Sequence, residues 1–163
     1  MDREEVGHQE GEADAAVIIS NLARDKTTGD ITETIIIVAH SMGAAYAKGY
    51  IAAIVQYANA HPDECNGLSI TEYDIAAYQP AQQKVVNGVT TYQFANSGDG
   101  VNTGFLATVL GTSNGPEEGV STYKKKHGGG HGIWNFQWIM NLVRFLPQGT
   151  YVWDKHKKKF VRK

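Results

Sequence analysis

Only one cysteine, Cys65, occurs in the 163 residues, so no disulfide can close within a single copy of the chain. That is compatible with a reducing compartment without establishing one. Prolines are also few, four in all, and with 42% hydrophobic residues the composition is globular, not disordered. No apolar run is long enough to span a bilayer, and the N-terminus lacks the basic-then-apolar order of a secretory signal. The expectation is a soluble protein, cytoplasmic or exported as part of a larger one. A large charge of one sign is missing too: the net charge is −2, and bulk electrostatics point to neither nucleic acid nor a membrane surface. The charge is unevenly placed, however. Asp2, Glu4, Glu5, Glu10, Glu12 and Asp14 crowd the start against Arg3, whereas Lys155, Lys157, Lys158, Lys159, Arg162 and Lys163 crowd the end. Terminal runs of this kind read as solvated surface.

What is present fits one domain with one core, spanning residues 1–163, with 150–163 as a basic terminal hairpin or tail. Within residues 11–24, Ala15, Ile18, Ile19 and Leu22 fall at helical spacing. Thr34-Ile35-Ile36-Ile37-Val38-Ala39 is an unalternating β-branched run, which predicts a strand buried on both faces in the middle of a parallel sheet. Met42 to Ala60 is alanine-rich and apolar almost all round, a helix packed on that sheet and stopped by His61-Pro62. Further strands fit Leu68 to Tyr78 and Thr90 to Ala95, with the turn Asn96-Ser97-Gly98-Asp99-Gly100 after the latter. Residues 111–132, rich in glycine and lysine, read as a long surface loop. Ile133 to Leu146 reads as an amphipathic helix, with Trp134, Trp138, Leu142 and Phe145 on one face. The order of elements predicts an α/β fold, a mainly parallel sheet flanked by helices.

The strand-to-helix junction carries the chemistry. A serine hydroxyl is a weak nucleophile until a base takes its proton and the site presents it. A sharp strand–turn–helix presents it on a strained backbone, with small residues two before and two after the serine. Here Ser41 is flanked at those positions by Ala39 and Gly43. The following helix aims its N-terminal amides at the reaction centre, and the Met42 N–H is the natural first donor to an oxyanion.

The run Ile37-Val38-Ala39-His40-Ser41-Met42-Gly43-Ala44-Ala45 resembles the nucleophile elbow of lipases and esterases of the α/β-hydrolase superfamily. Closely it covers about a dozen residues, with Ala39 where glycine is usual. The resemblance implies a Ser-His-Asp triad in the chain order Ser, acid, His. The family's acid loop falls on Asn96–Val101, which makes Asp99 the acid; Asp74, inside a strand, and Asp63, just after the elbow helix, fit that order less well. Both His127 and His131 qualify as base, and His131, at the start of the late helix, fits the family's placement better. In the family the elbow histidine, here His40, serves packing or loop contacts. His127-Gly128-Gly129-Gly130 matches an oxyanion motif that belongs ahead of the nucleophile, so it is set aside. Three glycines between His127 and His131 also argue against a helical zinc pair.

The expectation is therefore a serine hydrolase acting on carboxylic esters or lipids, with Ser41, His131 and Asp99 as triad and Met42 as oxyanion donor. No metal or cofactor is implied. Trp134, Trp138, Phe105 and Leu106 fit core packing first and an acyl pocket second. The family places several strands before the elbow, whereas forty residues precede Ser41 here. That implies an exposed parallel edge and a missing second oxyanion donor. The chain is then the C-terminal part of a longer protein or a minimal relative completed by an upstream domain or a second copy. A looser likeness to lipase-like C-terminal toxin domains of bacterial polymorphic effectors agrees with the first of these. The competing expectation is a non-catalytic binding module that keeps the elbow architecture.

Overall fold

In a computed structural model, residues 2–78, 83–96, 99, 121–125, 130–141, 151–154 and 159–162 are described. Helix α1 spans Arg3–Asn21 and begins well before residue 11, where hydrophobic spacing places it. The Asp2 carboxylate accepts from the Glu4 N–H at 3.4 Å, and Glu4 and Glu5 in the first turn suit the positive end of the helix dipole. Its buried stripe is Gly7, Gly11, Ala15 and Ile19, so half of the packing face carries no hydrophobic signal.

That stripe meets helix α2, Gly43–Ala60, backbone to backbone. A Cβ at Gly7 would stand 2.0 Å from the Tyr46 carbonyl oxygen, and one at Gly49 only 1.8 Å from that of Glu4. Both helices lie on one face of a four-stranded sheet in the order β1 (Thr34–His40), β2 (Ser69–Ile75), β3 (Thr90–Asn96) and β4 (Ser121–Lys125). Every pairing is parallel, with Val38 opposite Tyr73, Tyr73 opposite Tyr92, and Phe94 opposite Tyr123. The fold is α/β, as the element order predicts. Ala15, Ile19, Ile31, Ile51, Ile54, Ile70 and Val89 form the main core between helices and sheet. Each such aliphatic side chain larger than alanine contributes about 1.5–3 kcal/mol by leaving water. A smaller cluster of Ala39, Ala44, Ala47 and Ala77 lies where β1 meets α2.

Three expectations are corrected. Strand β1 is the margin of the sheet among the described residues, not its middle, and Ile36 and Val38 on one face are 60% and 62% exposed. An apolar run shows that a strand packs but not how many of its faces are covered. Within the expected loop 111–132, Ser121–Lys125 is a strand. Ile133–Asn141 is a 3₁₀ helix, in which residues three apart share a side. Phe136 and Ile139 are accordingly the buried pair, while Trp134 is 79% exposed and packs no core. Leu142, Phe145, Phe105 and Leu106 lie outside the described residues. The terminal hairpin is present as antiparallel β5 (Tyr151–Asp154) and β6 (Lys159–Arg162).

Candidate active site

Strand β1 ends at His40 and α2 begins at Gly43, so Ser41 and Met42 alone make the turn. Ser41 has φ 57, the left-handed region that a non-glycine residue occupies at a cost of about 1–3 kcal/mol. The surrounding backbone holds it there. Its N–H donates to the Ile75 carbonyl at 3.0 Å, and its carbonyl accepts from Tyr78 at 3.1 Å and Ala44 at 3.2 Å. Ala76, between those anchors, is itself left-handed at φ 50 and donates to Phe94 at 2.8 Å. Two strained residues thus brace each other, and nothing in the composition around Ala76 announces the second.

The small residues flanking Ser41 differ in purpose. Ala39 is buried against Ala44, Ala47 and Ala77. At Gly43 a Cβ would meet no described atom within 4 Å, so close approach does not require glycine there, contrary to the expectation. Met42 is the N-cap of α2, without a side-chain capping bond, and its N–H is the first amide after Ser41.

The structure brings Ser41, His131 and Asp99 together. Ser41 Oγ lies 2.7 Å from His131 Nε2, and His131 Nδ1 lies 3.1 and 3.0 Å from Asp99 Oδ1 and Oδ2. A carboxylate only accepts, so Nδ1 carries the ring proton in the neutral imidazole and Nε2 keeps a lone pair for the serine hydroxyl. Asp99 is fully buried and its N–H donates to the Asn96 carbonyl at 3.1 Å, while the His131 side chain is partly open to solvent. This is the order of groups that removes a serine proton and steadies the resulting imidazolium.

Two further residues hold the loop of His131 in place. His40 Nε2 lies 2.9 Å from the His131 carbonyl, which can only accept, so His40 carries its proton on Nε2. Its ring stands 5.2 Å from that of His131. Asn96, buried at the end of β3, donates from Nδ2 to the carbonyls of Gly130 at 3.4 Å and Asn135 at 3.3 Å. Asn96 passes for an ordinary turn residue in the sequence; only its place at a strand end, next to the acid loop, hints at the role.

The other candidates fall elsewhere. Asp74 is buried on β2 and paired with Lys48, and Asp63 lies exposed in the turn after α2. His127 lies outside the described residues. Among the described residues no three His, Cys, Asp or Glu side chains gather as metal ligands, and no helix is long and apolar enough to cross a membrane. Compared with models of known families, with curated proteins and with solved structures, the chain matches none.

Proposed function

We propose that the chain is a serine hydrolase of the α/β-hydrolase type that cleaves carboxylic esters, lipid esters among them. The observation that supports this reading is the unbroken series Ser41 Oγ, His131 Nε2, His131 Nδ1 and Asp99, every step at hydrogen-bonding distance, with the serine on a left-handed strand–helix turn. In this reaction Ser41 Oγ attacks the ester carbonyl as His131 Nε2 takes the hydroxyl proton. The carbonyl electron pair moves onto oxygen, and the Met42 N–H at the start of α2 faces that charge. Collapse breaks the bond to the leaving alkoxide, which receives the proton from Nε2 and departs as alcohol. A water molecule repeats the sequence, freeing the acid and restoring Ser41. Asp99 fixes the imidazole tautomer throughout and stabilises its positive charge.

Hydrolysis of p-nitrophenyl acetate or butyrate tests the reading. Turnover by the wild type that disappears in Ser41→Ala supports it, and the assay is lenient because the good leaving group needs little acid catalysis. Equal, background rates for both proteins favour the binding-module alternative.

A further inference from the structure

Three charged side chains that the proposed reaction does not use are buried together on the α2 side of the sheet. Lys48 of α2, Glu72 and Asp74 of β2 are each no more than 1% exposed. Lys48 Nζ donates to Glu72 Oε2 and stands 3.0 Å from Asp74 Oδ2, and Thr91 Oγ1 of β3 donates to Glu72 Oε2 at 3.0 Å. Removing such charges from water costs several kcal/mol per ion, and apolar residues of similar volume commonly serve stability as well or better. The cluster is therefore a poor device for stability alone, and its connections show what else it does.

Lys48 belongs to the helix that starts just after Ser41. Asp74 is opposite Ala39 in the β1–β2 register and immediately precedes Ile75, whose carbonyl takes the Ser41 N–H. The same segment runs on through left-handed Ala76 to Tyr78, which donates to the Ser41 carbonyl. Covalent chain, ion pair and hydrogen bonds thus close a ring: Ser41, α2, Lys48, Asp74, Ile75, Ser41. We propose that Lys48, Glu72 and Asp74 are positioning residues that lock α2 to the end of β2 and so hold Ser41 in its left-handed turn. For the reactivity of Ser41 this rests on the hydrolase reading; for the geometry of the turn it does not.

Glu72 gives the lock a pH dependence. Burial, and next the charge of Asp74, push its carboxyl up from 4.5 to about 7, against the opposing pull of Lys48. The groups facing it are Lys48 from α2, Asp74 on its own strand and Thr91 from β3. A carboxyl raised in the folded state keeps a proton that the unfolded chain releases. Its contribution to stability is therefore present at acid pH, falls as pH rises from about 4.5 to about 7, and stays low above that. The lock is tighter on the acid side of neutrality.

Amide hydrogen exchange at Ser41 and Tyr78 reads the lock directly, with Ile37 and Thr71 in the β1–β2 ladder as reference. Asp74→Asn keeps the side-chain shape and removes the Lys48–Asp74 ion pair that closes the ring, while the Lys48–Glu72 pair remains. We expect protection at Ser41 and Tyr78 to fall about tenfold or more while the reference amides hold their wild-type values, a local opening and not a global one. Unchanged protection, or a fall shared equally by all four amides, overturns the proposal. Glu72→Gln supplies a second arm if Asp74→Asn does not fold. Between pH 6 and 8, after correction for intrinsic exchange, wild-type protection at Ser41 and Tyr78 should drop and that of Glu72→Gln should not; identical profiles overturn the proposal. Fluorophosphonate labelling run in parallel separates the two claims. Selective loss of protection with no labelling of wild-type Ser41 upholds the lock and sinks the hydrolase reading, whereas labelling with unaltered protection does the reverse.

Discussion

Ser41 Oγ lies 2.7 Å from His131 Nε2, and the chain between the two, ninety positions apart, includes three of the four strands of the parallel sheet. The pair stands in a sheet where β2, β3 and β4 lie beside β1, so the Ser41–His131 contact reports that assembled sheet. Asp99, reached from the end of β3, and Asn96, reaching to the loop of His131, tie that contact to the same strands.

Substitutions in the series Ser41, His131 and Asp99 should act as a unit. Ser41→Ala is expected to abolish ester turnover. Asp99→Asn should lower kcat by about 10⁴-fold, because the ring then loses its fixed tautomer, and His131→Ala by a comparable factor. The double variant His131→Ala/Asp99→Asn should be scarcely worse than His131→Ala. Steady-state kinetics on a p-nitrophenyl ester check this, and multiplicative losses would contradict the relay.

The glycines of the two helices should separate cleanly. Gly49→Ala puts a methyl group 1.8 Å from the Glu4 carbonyl oxygen, a backbone atom that cannot step aside without moving α1. Overpacking of this kind costs about 1–3 kcal/mol or more. Gly43→Ala meets no described atom within 4 Å and replaces glycine at the start of a helix, so stability should hold or rise by about 0.4–1 kcal/mol. Urea denaturation of the two variants decides.

Ile36→Lys tests the position of β1. At 60% exposure the change should cost no more than about 0.5 kcal/mol by the same measurement. A loss of several kcal/mol would mean that this face of β1 is covered.

How far the sequence discloses this arrangement depends on which signal each element carries. The β-branched run from Ile35 to Val38, followed by Ala39-His40-Ser41-Met42-Gly43, places the turn within one residue at either end, because steric limits at the turn restrict composition so strongly. The resemblance's acid loop and its histidine before a late helix then point to Asp99 and to His131 over His127, and the structure brings Asp99 and His131 to Ser41. The first turns of α1 are hidden because they pack through Gly7 and Gly11, and close approach of backbones leaves no hydrophobic trace. Strand β4 is hidden by its lysines, and the three-residue period of Phe136 and Ile139 by a sequence equally suited to an α-helix. Glu72 and Asp74 look like the polar side of a half-exposed strand. Lys48, the sole charge in an otherwise apolar helix, is the one signal that could have pointed to their burial.

The most direct test of the account is covalent labelling of Ser41. Incubated with a fluorophosphonate probe, the protein should gain the mass of one adduct, mapped by peptide digestion to Ser41, with labelling lost in Ser41→Ala and strongly slowed in His131→Ala. Such probes require an activated serine and assume nothing about substrate. A chain that stays folded yet remains unlabelled, or that labels equally well without His131, would contradict it.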